Sequence, residues 1–365
     1  MKTLFIYVPL AVAFLTFFVF VKPLKLRVRH EALFLAALLL ASAKFLALDA
    51  FFGNAFAPDV PAPLLWTWDL AYYGALALLP LAILAWPFRF RSKAFLLPLL
   101  ALAVAFWGLY NGIALPRVHE VVLSYADLPD GLSGYRIVQL ADLHCSSVAR
   151  RARTQAIVDS VNALEPDLIC ITGDNVDGFF ASRREFIAPL AELKAKDGVL
   201  ACTGNHEHYF DFREWKREFY DKTPIRFLMN ECVFPRPGLA VAGVPDAMGC
   251  MRERLALPDP GEAFAAATNG EFRVLLQHRP GWAEINARYY GVRLQLSGHT
   301  HGGIAPLIRR LVAKANGGWT HGAYKIGEKG CLYVSPGCGQ WAGFQLRYFN
   351  PSEITLITLE KPRER

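Results

Sequence analysis

Five short clusters of aspartate, histidine, asparagine and glycine lie in the C-terminal two-thirds of the sequence, each directly after an apolar run. Five of the eight histidines beyond residue 116 fall within them, which chance would not produce. Imidazole, carboxylate and amide oxygen together suit first-row divalent metal ions, so the clusters predict a metal site. The clusters are Ala141-Asp142-Leu143-His144, Gly173-Asp174-Asn175-Val176-Asp177, Gly204-Asn205-His206-Glu207, Gln277-His278 and Gly298-His299-Thr300-His301-Gly302-Gly303.

The number of candidate ligands indicates two ions that share a bridging carboxylate. Asp142 and His144 flank Leu143, so in an extended backbone both point to the same side, and His299 and His301 repeat this spacing. Two divalent ions, two aspartates and a bridging hydroxide leave a net charge of about +1, which attracts a phosphate ester and can stabilise an in-line displacement. The candidate ligands are Asp142, His144, Asp174, Asn205, His278, His299 and His301.

The stretches between the clusters must form the scaffold that brings them together. Strands that alternate with helices at first and then follow one another indicate a layered α/β domain, whose strand ends gather in one region. Apolar periodicity predicts the individual elements. Helices are predicted at Arg151–Leu164, Arg183–Lys196 and Arg213–Tyr220, and strands at His119–Tyr125, Tyr135–Leu140, Leu168–Thr172, Val199–Thr203, Leu239–Val244, Phe272–Gln277, Val292–Leu296, Cys331–Val334 and Ile354–Leu359.

The ordered set of clusters resembles the calcineurin-like metallophosphoesterase superfamily, whose pattern is D-x-H, G-D-x-x-D, G-N-H-[DE], H and G-H-x-H. Each piece alone is weak, but the five in this order are highly specific. The resemblance spans about residues 135–359, and Leu332–Gly337 and Pro351–Ile354 are similar to a bacterial membrane-linked branch with N-terminal transmembrane helices. It implies an α/β metallophosphoesterase domain in which two mixed β-sheets are sandwiched by helices.

The resemblance also implies roles for the site residues. His206 is expected to act as general acid, or to support the leaving oxygen electrostatically, and Asp177 to orient it. Glu207 is expected to hold its loop. The metals can be Mn, Fe, Zn or Co, since the same nitrogen and oxygen ligands accept each of them. The implied ligands are Asp142, His144, Asp174 and His301 for one metal, and Asp174, Asn205, His278 and His299 for the other.

Residues 1–116 are almost continuously apolar and predict a transmembrane region with four helices, separate from a second domain at residues 117–365. Each apolar segment is near the roughly 20 residues that cross a bilayer. Lys44 and Asp49 interrupt the second segment; Lys44 is expected to snorkel toward the interface, with an ion pair to Asp69 as the alternative. The predicted spans are Leu4–Val21, Ala32–Phe52, Leu64–Phe88 and Ala94–Leu115.

Charge predicts the orientation of these spans. Of the net charge of +7, residues 1–116 carry +5. The remaining +2, on residues 117–365, does not indicate a nucleic-acid-binding surface. Basic residues concentrate in the first and third loops, which the positive-inside rule places in the cytoplasm. The sequence therefore predicts a multi-pass inner (plasma) membrane protein whose catalytic domain is extracytoplasmic, in the periplasm. The loop charges are Lys22, Lys25, Arg27 and Arg29, and Arg89, Arg91 and Lys93.

These patterns together predict a membrane-anchored phosphoesterase that hydrolyses a phosphomonoester or phosphodiester by attack of a metal-bridging hydroxide. The topology favours a lipid or envelope phosphoester as substrate, and His208, His321 and Arg347 are further candidates for substrate contact. Two alternatives stay open: a lipid-linked sugar-nucleotide pyrophosphatase with a cytoplasmic site, and a membrane protein that binds metal or phospholipid without turnover. The sequence does not specify the oligomeric state.

Overall fold

The structure, a computed structural model, describes residues 2–86 and 95–362 and contains two compact units. The first unit comprises Met1–Ile113 together with Trp341–Arg347, and the second comprises Ala114–Gln340 together with Tyr348–Arg365. The short segment Trp341–Arg347 thus belongs to the helical unit although more than 200 residues separate it from the other members in the chain. Nothing in its composition predicts this membership.

The first unit consists of helices joined by loops over its described residues, together with the non-helical segment Trp341–Arg347. Three of its helical stretches are long and apolar enough to cross a membrane, namely Ile6–Leu24, Ala62–Ala85 and Leu96–Ile113. Helices α2 (Val28–Ser42) and α3 (Lys44–Phe52) meet at a bend of 56°, and they give a fourth candidate span if the pair is taken as one. Phe88, Ala94 and the loop charges Arg89, Arg91 and Lys93 lie outside the described residues. The remaining helices are α1 (Lys2–Thr16), α4 (Ala62–Ala85) and α5 (Leu96–Ile113).

Lys44, at the bend between α2 and α3, is fully buried rather than snorkelling. Its Nζ forms an ion pair with Asp69 and donates a hydrogen bond to the carbonyl oxygen of Gly343 at 2.7 Å. The carboxylate, the carbonyl and the faces of three aromatic rings replace the water that the ammonium loses. The snorkelling expectation was therefore wrong, and the ion-pair alternative is correct. The rings, with centroids 4.9 to 5.6 Å from Nζ, are those of Phe45, Tyr72 and Tyr73.

The second unit contains two mixed six-stranded sheets in its described part. The first sheet has the order β1-β12-β2-β3-β4-β5, and the second has the order β10-β11-β9-β8-β7-β6. In chain order the strands are β1 (Arg117–Ser124), β2 (Tyr135–Leu140), β3 (Leu168–Ile171), β4 (Val199–Ala201), β5 (Ile225–Phe227), β6 (Glu231–Arg236), β7 (Leu239–Gly243), β8 (Phe272–Leu276), β9 (Leu294–Ser297), β10 (Gly322–Ile326), β11 (Gly330–Val334) and β12 (Glu353–Glu360).

One hydrophobic cluster joins the two sheets. It contains Ile137 and Leu168 from the first sheet and Val241, Val274 and Leu294 from the second, all fully buried. A separate cluster covers the outer face of the first sheet with helices. The helices of this unit are α6 (Arg150–Ala163), α7 (Phe180–Ile187), α8 (Asn205–Tyr209), α9 (Phe212–Glu218), α10 (Ala247–Glu253), α11 (Pro260–Ala263), α12 (Ala283–Tyr290) and α13 (Pro306–Ala315).

The predicted elements are found with three kinds of departure: one predicted helix is shorter, three strands were missed, and five helices, α8 and α10 to α13, were not predicted. The helix expected over Arg183–Lys196 is instead α7, followed by a 3-10 turn at Ala188–Glu192, because Pro189 lacks the N–H needed to continue an α-helix. Strands β5, β6 and β10 were not predicted. Each is a short or amphipathic strand at or beside a sheet edge, where the apolar pattern is weak.

Candidate metal centre

The five clusters meet because each follows a strand of the parallel core. Strands β2, β3 and β4 run parallel in the first sheet, and β8 and β9 do so in the second. Their carboxyl ends therefore lie along common edges, which is where sites form in α/β folds. Asp142 and His144 follow β2, Asp174 and Asp177 follow β3, Asn205 and His206 follow β4, His278 follows β8, and His299 and His301 follow β9.

The backbone at the ligand positions is left-handed rather than extended. Asp142 has φ 50° and His144 has φ 47°, and the segment that holds them is not a strand. Asp174, His299 and His301 also have positive φ, between 47° and 69°. The extended arrangement expected around Leu143 was therefore wrong. Non-glycine residues adopt this conformation at a cost, and such strain is concentrated at functional sites.

Three groups of side chains each present ligand atoms that lie within 4.8 Å of one another. Asp174 stands between the candidate ligands of two metals, because its Oδ2 lies 3.2 Å from Nε2 of His278 and 3.9 Å from Nε2 of His144. This is the position expected of a bridging carboxylate. The groups are Asp142, His144 and His301; Asp174, His278 and His299; and His144, Asp177 and His206.

The donor set fits divalent metal ions in three respects. Nε2 of His144 is buried and has no hydrogen-bond partner within the described part of the chain, so a cation would satisfy it. Nδ1 of His278 lies 2.7 Å from the carbonyl oxygen of Thr172, which places the proton there and leaves Nε2 as a ligand. Burial raises the pKa of Asp142 to about 6 in the absence of a metal, and a bound cation would favour its ionised form.

Asp177 connects two histidines through one oxygen. Its Oδ1 lies 2.6 Å from Nδ1 of His206 and 2.9 Å from Nδ1 of His144. Burial alone would raise the pKa of Asp177, but the two imidazoles hold it well below the usual range. Burial alone would likewise lower the pKa of His206, but Asp174 and Asp177 outweigh it and raise this pKa to about 9. Asp177 thus stabilises the protonated form of the His206 imidazole.

Glu207 holds the loops around the site. Its carboxylate accepts hydrogen bonds from the backbone N–H groups of Gly204 at 2.7 Å and Asp174 at 3.0 Å, and from that of Asn175. Gly204 must lack a side chain, because a Cβ there would lie 2.1 Å from Oδ1 of Asp174. These contacts fix the strand ends that carry the proposed bridging carboxylate and His206.

Arg279 is a member of the site that sequence reasoning missed. Its Nη2 donates to Oδ1 of Asn205 at 3.0 Å, and its Nε donates to Asp246 at 2.6 Å. Asn205 Oδ1 therefore already has one partner, and its second lone pair is available to a metal. The only signal in the sequence was that Arg279 directly follows His278.

An exposed apolar rim lies on the His206 side of the centre. The Tyr209 ring is 5.2 Å from the His206 ring, and the Arg252 guanidinium lies over the same tyrosine at 5.6 Å. Met248 and Met251 share the outer face of α10 with Arg252, at helical spacing, and are 53% and 56% exposed. Sequence reasoning did not single out these residues.

Two further candidates for substrate contact are buried. His208 is buried, with Nε2 2.9 Å from Oγ1 of Thr203 and Nδ1 3.4 Å from Glu253. Arg347 is buried in the helical unit. His321 is half-buried on the loop before β10, where its backbone N–H lies 3.4 Å from Oη of Tyr324.

Comparison with known proteins identifies the family. Residues 135–303 match the family model for the calcineurin-like phosphoesterase. The chain is 36% identical over 262 residues to an uncharacterised metallophosphoesterase from Helicobacter pylori, across 71% of this chain and 68% of that protein. The chain belongs to the calcineurin-like metallophosphoesterase family. The predicted family, the two mixed sheets and the general hydrolase class are thus confirmed. Membership of this family indicates a phosphoester substrate and divalent metals.

Other relatives connect the domain with membranes. This metallophosphoesterase is 33% identical over 271 residues to a transmembrane protein with metallophosphoesterase domain from Danio rerio, across 71% of this chain and 60% of that protein. It is 31% identical over 265 residues to an uncharacterised metallophosphoesterase from Campylobacter jejuni, across 72% of this chain and 68% of that protein. Together with the apolar helices of this chain, the similarity to the Danio rerio protein indicates a membrane protein.

Proposed function

We propose that this chain is a membrane-anchored, dinuclear metal-dependent phosphoesterase that hydrolyses a phosphomonoester or phosphodiester. The observation that carries the proposal is the position of Asp174 between His144 and His278, with Asp142 and His301 completing one side and His299 the other. A buried carboxylate with imidazole nitrogens on both flanks is the arrangement that two divalent ions require.

Each of these residues has a proposed role. Asp142, His144, Asp174 and His301 would hold one ion, and Asp174, Asn205, His278 and His299 the other. Bound ions would supply a nucleophilic hydroxide at neutral pH and Lewis-acid stabilisation of the phosphoryl oxygens. His206, whose Nδ1 is held by Asp177, turns its other nitrogen toward the substrate and donates a proton to the leaving oxygen. Arg279, beside Asn205, adds positive charge for the phosphate.

The apolar rim favours an amphiphilic substrate, such as a lipid or envelope phosphoester. Tyr209, Met248 and Met251 expose apolar surface on the side of His206, which is where the leaving group departs. A polar leaving group would gain nothing from this surface, whereas an acyl or alkyl chain would be stabilised by about 25 cal/mol for each Å² it covers. Incubation of the detergent-purified protein with a total lipid extract, with phosphate release and lipid loss followed together, identifies the substrate.

The proposed anchor is the apolar region at residues 1–116, and the proposed catalytic domain is residues 117–365. We propose a multi-pass arrangement in the inner membrane with the metal centre on the periplasmic side. The basic first loop supports this orientation, since positively charged loops stay in the cytoplasm.

Two substitutions test the mechanism with bis-p-nitrophenyl phosphate and p-nitrophenyl phosphate as substrates. Asp174→Asn removes the bridging charge, so we expect loss of both bound metal and turnover. His206→Gln is expected to retain the metal but to lower kcat by about 10²–10⁴-fold, as loss of a general acid does. His119→Gln, which replaces an exposed histidine on β1, is the matched control. Undiminished activity of His206→Gln on bis-p-nitrophenyl phosphate would contradict the mechanism.

A further inference from the structure

Helix α13 is amphipathic, and its apolar face is exposed. Ile308, Leu311, Val312 and Ala315 fall at positions i, i+3, i+4 and i+7, which places them on one stripe of the helix. A surface helix of a globular domain normally buries that stripe against the core. Here Leu311 is 67% exposed, Ile308 is 37% exposed and Ala315 is exposed as well. The stripe therefore faces outward.

The polar side of α13 carries positive charge only. Arg309, Arg310 and Lys314 are all exposed, and the ten residues of the helix include no carboxylate. At 100° per residue, Arg309 and Lys314 flank the apolar stripe on opposite sides, and Arg310 lies on the far side of the helix. Basic residues that border an apolar stripe can extend along it and place their charges at the level of lipid phosphates.

The helix is also joined directly to the metal centre. It begins three residues after Gly303, in the same loop as the proposed ligands His299 and His301. Arg309 packs over Gly303, where a Cβ would lie 2.7 Å from Cγ of the arginine. Arg309 and Arg310 line a groove of about 520 Å³ that also reaches Gly302. A surface bound by α13 would therefore be held close to the site of hydrolysis.

We infer that α13 is an interfacial helix that docks on an anionic phospholipid bilayer, with Ile308 and Leu311 inserted and Arg309 and Lys314, which flank the stripe, at the lipid phosphates. The inference rests on the proposed membrane anchoring, which keeps a bilayer within reach, and it goes beyond it by assigning a second membrane contact next to the metal centre. An exposed apolar stripe bordered by cations alone complements a negatively charged, apolar surface.

Hydrogen exchange measured by mass spectrometry on the full-length chain in nanodiscs tests the inference. We compare nanodiscs of phosphatidylcholine with nanodiscs of phosphatidylcholine and phosphatidylglycerol, and we follow the amides of residues 306–315. The surface helix α9, which also carries exposed cations, is the internal reference. Slower exchange of α13 in the presence of phosphatidylglycerol, with α9 unchanged, is the expected result.

Two variants separate the electrostatic and apolar contributions. Each cation near an anionic surface contributes about fivefold in affinity, so Lys314→Glu, at an exposed cation that flanks the stripe, is expected to weaken the phosphatidylglycerol-dependent binding at least fivefold, whereas Lys216→Glu on α9 leaves it intact. Leu311→Gln is expected to speed exchange of α13 in both nanodiscs, whereas Leu257→Gln, at another exposed leucine, does not.

Exchange of α13 that is identical in both nanodiscs and in all variants would overturn the inference. Protection that Leu311→Gln abolishes but Lys314→Glu leaves unchanged would overturn the assignment to an anionic surface. The measurement requires no turnover, so a protected helix in an inactive protein would contradict the proposed hydrolysis and leave the inference standing. A chain that fails to enter nanodiscs would overturn both the inference and the membrane anchoring.

Discussion

Asp177 Oδ1 lies 2.6 Å from Nδ1 of His206, and the same oxygen lies 2.9 Å from Nδ1 of His144. One carboxylate oxygen thus orients both the proposed general acid and a proposed metal ligand. Each imidazole is left with its Nε2 facing the centre of the site. The proton on His206 and the ligand orientation at His144 therefore depend on the same residue.

Replacing Asp177 by Asn is expected to weaken both functions. The amide cannot stabilise the imidazolium, so the pKa of His206, which burial would lower but Asp174 and Asp177 raise to about 9, is expected to fall. The basic limb of the pH profile of kcat then moves to lower pH. Removing the partner of a ligating histidine also weakens metal binding by about 10–100-fold. Kinetics across pH and metal titration measure the two effects, and a profile identical to that of the wild type would refute the proposed role.

The buried ion pair between Lys44 and Asp69 is expected to stabilise the helical unit only when both partners are present. Lys44→Met leaves Asp69 as an uncompensated buried charge, which costs about 3–5 kcal/mol of stability. The double variant Lys44→Met/Asp69→Leu removes both charges and is expected to recover most of this loss. Thermal unfolding in detergent, followed by circular dichroism, measures the difference.

The matched control for this pair is Lys22→Met. Lys22 pairs with Glu31, but its side chain is 51% exposed, and exposed ion pairs contribute about 0–1 kcal/mol. A Lys44→Met protein as stable as Lys22→Met would show that the buried pair does not hold the unit together.

Acid stability is expected to depend on Asp167. Burial would raise the pKa of Asp167, but the N–H of Arg136, Lys196 and Arg236 outweigh it and lower this pKa below its ordinary value of 3.8. A lowered folded-state pKa contributes stability that is present above about pH 3.8 and is lost as pH falls through the folded value. Asp167→Asn should therefore destabilise the protein near neutral pH and have a smaller effect in acid.

Denaturation midpoints measured at several pH values test this dependence. Asp159→Asn, at a carboxylate on the exposed side of α6, is the control and should leave the midpoint unchanged. A constant difference between Asp167→Asn and the wild type at all pH values would argue against the linkage.

The orientation of the domain is tested by a reporter fused after Arg365. We expect alkaline phosphatase, which requires an oxidising compartment, to be active in the fusion, and a cytosolic fluorescent reporter to be dark. The opposite pattern would place the metal centre in the cytoplasm. It would then favour hydrolysis of a lipid-linked sugar nucleotide, because such substrates are made there.

The residues of the metal centre were predictable because each cluster directly follows the strand that positions it. Asp142, Asp174, His206 and the other site residues each lie directly after an apolar strand, and strand ends converge in this class of fold. The left-handed backbone at Asp142 was not predictable, because the spacing D-x-H is equally compatible with an extended chain. The strand ends are held by hydrogen bonds to neighbouring loops, such as that from the N–H of Asp142 to the carbonyl of Gly173.

Contacts between residues distant in sequence could not be predicted from local sequence patterns. Lys44 is 25 residues from Asp69 and 299 residues from Gly343, and no local pattern indicates which partner a lone charge in an apolar segment will find. The favoured expectation for Lys44 was wrong for this reason. Likewise, the exposed stripe of α13 is visible only once the structure shows that no described part of the domain covers it.

The segment Trp341–Arg347, which lies between β11 and β12 in the chain, folds with the helical unit. Trp341 packs on Phe56, Phe344 packs on Tyr73, and Gly343 accepts a hydrogen bond from Lys44. A chain shortened to begin at Ala114 would retain these seven residues without any of those partners. Proteolytic release would thus yield a damaged enzyme rather than a soluble one, and biochemical work on this protein should begin from the intact chain.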